Sequence, residues 1–164
     1  MALTYEPIAT TTLGSAAAEI NLTSIPATYT DLVCVLVGTH ETGSSTIRMQ
    51  VNGDTGSNYG YRVVYGDGST AQSSSGSSSS RINTAPNWAL ANPCMAVINW
   101  FSYAGSTYKT CLIHSDTDQN GSGTHYSTVG LWQNTSAITS IRLFPSSGNF
   151  AAGTTATLYG ILKA

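Results

Sequence analysis

Asp31-Leu32-Val33-Cys34-Val35-Leu36-Val37-Gly38 is apolar at six successive positions and closed by a glycine. Its three valines fit a pleated strand better than a helix, because branching at Cβ restricts the side chain against a preceding helical turn. Six apolar residues fall well short of the roughly 20 needed to span a bilayer. The run therefore predicts a β-strand. With no polar face of its own, it predicts a central strand covered on both sides. Cys34, in its middle, reads as a small buried hydrophobe.

The segments around this run share its character. Residues 46–51, Thr-Ile-Arg-Met-Gln-Val, alternate Ile47, Met49 and Val51 with Arg48 and Gln50. A slip of one residue would bury the arginine, so the register is well specified. Asn52-Gly53-Asp54 then supplies residues that tolerate positive φ for a turn. Further strands are expected at 3–13, 19–25, 59–65, 94–103, 107–114, 124–132, 138–144 and 154–162, from their β-branched and aromatic content and the turn residues between them. Ala104-Gly105-Ser106 reads as a hairpin turn. Residues 66–80 are dominated by Gly and Ser. They carry too little apolar surface to offset the cost of ordering, which predicts a long mobile loop. Pro86 to Pro93 reads as an irregular loop anchored by Trp88.

This spacing predicts one all-β domain over residues 1–164, an antiparallel two-sheet β-sandwich of jelly-roll type with about 8–10 strands.

Charge is scarce. Only 9% of the 164 residues are charged, with six Lys and Arg, eight Asp and Glu, and a net charge of −2. Nucleic-acid binding and a polybasic membrane patch both need a concentrated basic surface, which this chain lacks. The first residues carry no basic stretch followed by an apolar core, so a secretory signal is not expected and synthesis in a cytoplasm is.

Catalytic and metal motifs are sparse. Cys34, Cys94 and Cys111 are odd in number and show no CxxC spacing, which argues against a disulfide framework or a zinc site. Asp116-Thr117-Asp118-Gln119-Asn120-Gly121 matches the first half of a calcium loop, in which alternate side chains supply oxygen ligands. The second half fails, since Ser127 stands where a bidentate glutamate is needed. Two readings stay open: an Asp/Asn-rich β-turn, or a small Ca2+ site formed by Asp116, Asp118 and Asn120. His114 and His125 bracket this loop and can face each other across a hairpin. No G-x-S-x-G elbow or Walker loop is present, and the eight acids are scattered, so a non-enzymatic protein is expected. Among the aromatics, Trp100 and Trp132 lie within strands and are expected in the core. Tyr59, Tyr61, Tyr65 and Trp88 adjoin the Gly/Ser stretch and form the candidate contact surface.

The run from Tyr5 to Ala18 (YEPIATTTLGSAAA), Ile25-Pro26-Ala27-Thr28-Tyr29-Thr30-Asp31-Leu32, the stretch VGLWQNTSAI beginning at Val129, and the ending NFAAGTTATLYGI from Asn149 together resemble structural proteins of tailed phages, cyanophages in particular. The likeness covers most of the chain and is weakest over residues 66–93. It implies a virion outer-surface protein made in a host cytoplasm, either a capsid decoration (cement) protein or the head of a tail-fibre or tail-appendage protein that binds a host receptor or carbohydrate. The expected partners are the major capsid protein or tail proteins, further copies of the chain with a homotrimer favoured, and, for a fibre head, a host glycan. A stalkless single domain fits the decoration role better. The matched motifs carry no catalytic residue.

Overall fold

The computed structural model describes residues 5–89, 92–117 and 119–162. Twelve strands follow in chain order: β1 Tyr5–Thr12, β2 Ile20–Leu22, β3 Asp31–Gly38, β4 Ser44–Val51, β5 Tyr59–Gly66, β6 Ala71–Ser79, β7 Ile82–Ala89, β8 Cys94–Phe101, β9 Lys109–Asp116, β10 His125–Trp132, β11 Ile141–Pro145 and β12 Thr155–Ile161. Among the described residues there is no helix. The strands form two antiparallel sheets, one ordered β1-β12-β3-β8-β9-β10-β5-β6 and the other β2-β11-β4-β7. The two-sheet all-β architecture matches the expectation, with more strands than the 8–10 foreseen.

The chain alternates between sheets. β1, β3, β8 and β12 lie in the larger sheet, and β2, β4, β7 and β11 lie in the smaller. Two hairpin pairs, β5–β6 and β9–β10, interrupt this alternation and extend the larger sheet past β8. The smaller sheet ends at β7, so the β5–β6 hairpin overhangs it.

The core lies between the sheets. Leu32, Cys34 and Leu36 of β3 point into it with no exposure, as do Trp100 of β8, Leu158 of β12 and Leu143 of β11. The register of β4 is the one its alternation predicts: Ile47, Met49 and Val51 are fully buried. Asn52 and Gly53 take positive φ values of 53° and 67° in the turn that follows.

Three expectations are corrected. First, β3 is covered on one side only. Val33 and Val35 are half-buried on the opposite face, and Val37 is 39% exposed. Its uniformly apolar sequence reflects an apolar outer face of the sheet, not a second covering layer.

Second, residues 66–80 are not a long loop. They comprise the end of β5, a tight turn and all of β6, which pairs with β5 from Gly66↔Ala71 to Tyr59↔Ser79. The Asp67 carboxylate organises the turn, accepting the Ser69 and Thr70 amides at 2.9 and 2.8 Å. Almost every side chain of β6 is exposed, so the backbone ladder carries this strand and no apolar periodicity announces it.

Third, residues 86–89 of the expected Trp88 loop belong to β7, and Trp88 is completely buried. Pro86 is tolerated because β7 is an edge strand of the smaller sheet and is irregular there.

Candidate functional site

The overhang creates a cleft. The inner face of a sandwich strand normally packs on the opposite sheet, but β5 and β6 run beyond the edge of β7. The inward residues Tyr61, Val63 and Tyr65 of β5 therefore line an open recess with Ser74 of β6, Tyr126 and Thr128 of β10, and Asn83, Pro86 and Asn87 of β7. Its volume is about 250 Å3. No charged side chain is among these described lining residues.

Each wall is fixed by a specific contact. Tyr65 stacks on Tyr126 with ring centroids 5.2 Å apart and planes 25° from parallel. The Tyr65 hydroxyl donates to Gln72 Oε1 at 2.8 Å, tying β6 to β5. The Tyr61 ring lies over Gly76, where a Cβ would come within 2.5 Å of its Cε1 atom. The single glycine in the serine run thus makes room for that ring.

Across the cleft, Asn87 Nδ2 donates to the Tyr126 hydroxyl at 2.9 Å and Asn83 Nδ2 to the Tyr61 hydroxyl at 3.3 Å. Both asparagines sit where β7 departs from regular pairing. The β4–β7 register shifts between Ser45 and Ile47 and again between Ile47 and Arg48, against partners Trp88, Ala85 and Asn83. Asn87 adopts a φ of 58°. Irregularities of this kind re-aim side chains and recur beside functional sites.

The structure divides the candidate contact surface. Tyr61 and Tyr65 share the cleft. Tyr59 and Trp88 do not, being 1% and 0% exposed within the core. The Tyr59 hydroxyl donates to the carbonyl of Asp54 at 2.9 Å, and burial pushes its pKa up to about 12. Tyr126, Asn83 and Asn87 were not foreseen. Tyr126 lies on β10 and both asparagines on β7, and the only local hint was an asparagine following a proline.

The Asp116 loop holds less. Asp118 lies outside the described residues. Asp116 is half-buried, opposite His125 in the β9–β10 register, and lines a shallow depression of about 320 Å3 with Asp67 and Gly121. Asn120 takes a φ of 55° within the turn, which the Gln119 amide closes on the Ser122 carbonyl at 2.7 Å. His114 and His125 do face each other, with ring centroids 5.9 Å apart on the exposed outer face. Among the described residues no group of three or more His, Cys, Asp or Glu is placed to hold a metal ion.

The outer face of the larger sheet is a second surface. Antiparallel sheets with one solvated face usually present polar residues there. Here Val64 and Val129 are 60% and 54% exposed, and Met95 and Phe101 each 45%. Val129 lies opposite the half-buried Leu112, Met95 opposite Val37, and the half-buried Val97 opposite Val35, while Val64 and Phe101 face Ser127 and Thr110.

All three thiols are buried and free. Burial raises Cys34 to about 12 and raises Cys111 further, so neither offers a thiolate at neutral pH.

Comparison with protein-family models, curated proteins and solved structures found no match.

Proposed function

We propose that this chain is a non-enzymatic structural protein of the outer surface of a tailed-phage particle, and within that class a capsid decoration protein. The observation that carries this reading is the apolar outer face of the eight-stranded sheet. Exposed apolar patches of this kind mark association surfaces. A cement protein must pack against shell subunits and its own neighbours, and a flat, weakly charged sheet face suits both. The major capsid protein is the proposed partner, with a homotrimer as the proposed assembly.

The strand order supports the jelly-roll part of this reading. Without the β5–β6 and β9–β10 pairs, eight strands remain as β1-β12-β3-β8 facing β2-β11-β4-β7. The chain passes from one four-stranded sheet to the other at every step except β4 to β7, which are neighbours in the smaller sheet; this is the arrangement of interlocked Greek keys found in capsid and lectin domains.

A tail-appendage head that binds a host receptor or carbohydrate is the second reading, favoured by the tyrosine-lined cleft. Cryo-electron microscopy of the intact particle separates the two. Copies spread over the icosahedral shell are the expected result. Copies confined to the tail would overturn the decoration role in favour of the second reading.

A further inference from the structure

We infer that the cleft between the β5–β6 hairpin and β7 is a binding site for one neutral sugar ring, lined by Tyr61 and Tyr65 and hydrogen-bonded by Asn83, Asn87 and the tyrosine hydroxyls. This inference deepens the carbohydrate-binding reading of that cleft, and it holds whether the protein sits on a capsid or a tail.

The directional groups come first. Asn83 and Asn87 each spend an amide N–H on a tyrosine hydroxyl. The Tyr61 and Tyr126 hydroxyls accept those bonds, so each keeps its own proton to donate. Among the described residues, neither asparagine's amide oxygen accepts a hydrogen bond. Two acceptors and two donors therefore remain at fixed positions around one recess. A sugar ring carries hydroxyls, each able to donate and accept, around the rim of an apolar C–H face. Aromatic rings meet the face and the amide and hydroxyl groups meet the rim.

The remaining features narrow the ligand. The described lining residues carry no charge, so an acidic sugar would lose solvation without gaining a counter-charge. Tyr65 and Tyr126 already stack on each other, which leaves no slot between them for a flat base. The volume of about 250 Å3 is below the range of roughly 300–1,000 Å3 that takes drug-sized ligands, and suits one ring rather than a buried oligomer. Lastly, the left-handed backbone at Asn87 and both register shifts of β7 fall at the two asparagines that bridge the cleft. Irregularities of this kind re-aim side chains, here the two amides toward the recess.

The test uses the full chain labelled with 15N and titrated with methyl glucoside, methyl mannoside, methyl galactoside and N-acetylglucosamine, with sialic acid as the acidic comparison. At least one neutral sugar is expected to saturate with a Kd of about 1 mM, a weak single-site affinity. It should shift the side-chain amides of Asn83 and Asn87. Asn87→Gly keeps the positive φ without strain and removes the side chain with its amide, so a folded variant with at least tenfold weaker binding is expected. Tyr61→Phe, which keeps the ring, should weaken binding as well. The inference is overturned if no neutral sugar moves these resonances at ~50 mM, far above such a Kd. Sialic acid binding more tightly than every neutral sugar, or Asn87→Gly binding as well as the parent, also overturns it.

Discussion

Trp132 Nε1 donates to Asp54 Oδ2 across 2.7 Å, fastening the last residue of β10 to the turn that leaves β4. The same carboxylate accepts Asn58 Nδ2 at 2.9 Å and the Gly56 amide at 2.8 Å. That turn carries the chain from the smaller sheet to the hairpin that walls the cleft. Asp54 is therefore the post on which the overhang is hung.

Burial acts to raise the Asp54 pKa, but the bonds from Trp132, Asn58 and Gly56 outweigh it and hold the carboxyl below its ordinary value. A carboxyl depressed in the folded state contributes stability above its unfolded pKa of about 3.9, and that contribution fades as pH falls through the folded value. Thermal unfolding followed by Trp fluorescence should show stability declining below about pH 4. Asp54→Asn should flatten that decline, and at neutral pH it should cost about 1.5–3 kcal/mol, the usual worth of bonds to a charged acceptor.

Lys109 is buried with no carboxylate partner among the described residues. Its ammonium donates to the carbonyls of Gly105, Thr107 and Thr135 at 2.6, 2.5 and 3.1 Å, locking the β8–β9 turn to the segment after β10. Burial lowers its pKa. Lys109→Met fills similar volume but strands three carbonyls, and urea unfolding should report a loss of about 2–4 kcal/mol.

Trp88→Ala should act on folding. The indole is wholly enclosed, so its removal should cost about 3–5 kcal/mol. A Trp88→Ala variant that unfolded at the parent's urea midpoint would contradict this packing.

Gly76→Ala should separate local from global effects. A Cβ there collides with the Tyr61 ring, yet β6 buries almost nothing. Hydrogen exchange should accelerate through residues 71–79 while the global unfolding free energy from urea titration changes by less than about 1 kcal/mol.

Cys34 and Cys111 should resist a thiol reagent in the native protein and react only once urea unfolds it, because burial keeps both protonated.

The legible parts of the fold are those in which side chains report burial. The alternation of residues 46–51 fixed the facing of β4, and Asn52-Gly53 announced its turn. The Ser-rich strand was invisible for the converse reason: almost all its side chains face water, and main-chain bonds do most to hold it. Trp88 was misplaced because flanking prolines suggest a loop, whereas an irregular edge strand accepts Pro86 and still buries its tryptophan. His40 behaves in the same way: the glycine and serine that follow it suit a solvated turn, yet it is 2% exposed, with its ring nitrogens 2.5 and 2.8 Å from the carbonyls of Thr42 and Ser147. Of the cleft, two tyrosines on one strand could be read from local sequence. Tyr126 and the two asparagines could not, because their meeting depends on strand order and on where the smaller sheet ends.

The turn at the tip of the β5–β6 hairpin is closed by one aspartate, and its strand beyond the tip adds no apolar side chain to the interior. The eight-strand frame can therefore tolerate substitution, lengthening or shortening there with little thermodynamic penalty, since exposed tips accept insertions far better than strands that fill a core. A lineage carrying this frame could revise its outward presentation quickly while its packing stayed constant. A peptide grafted between Gly68 and Ser69 would be held away from the body of the protein on a two-stranded arm, which makes the hairpin a natural position for display.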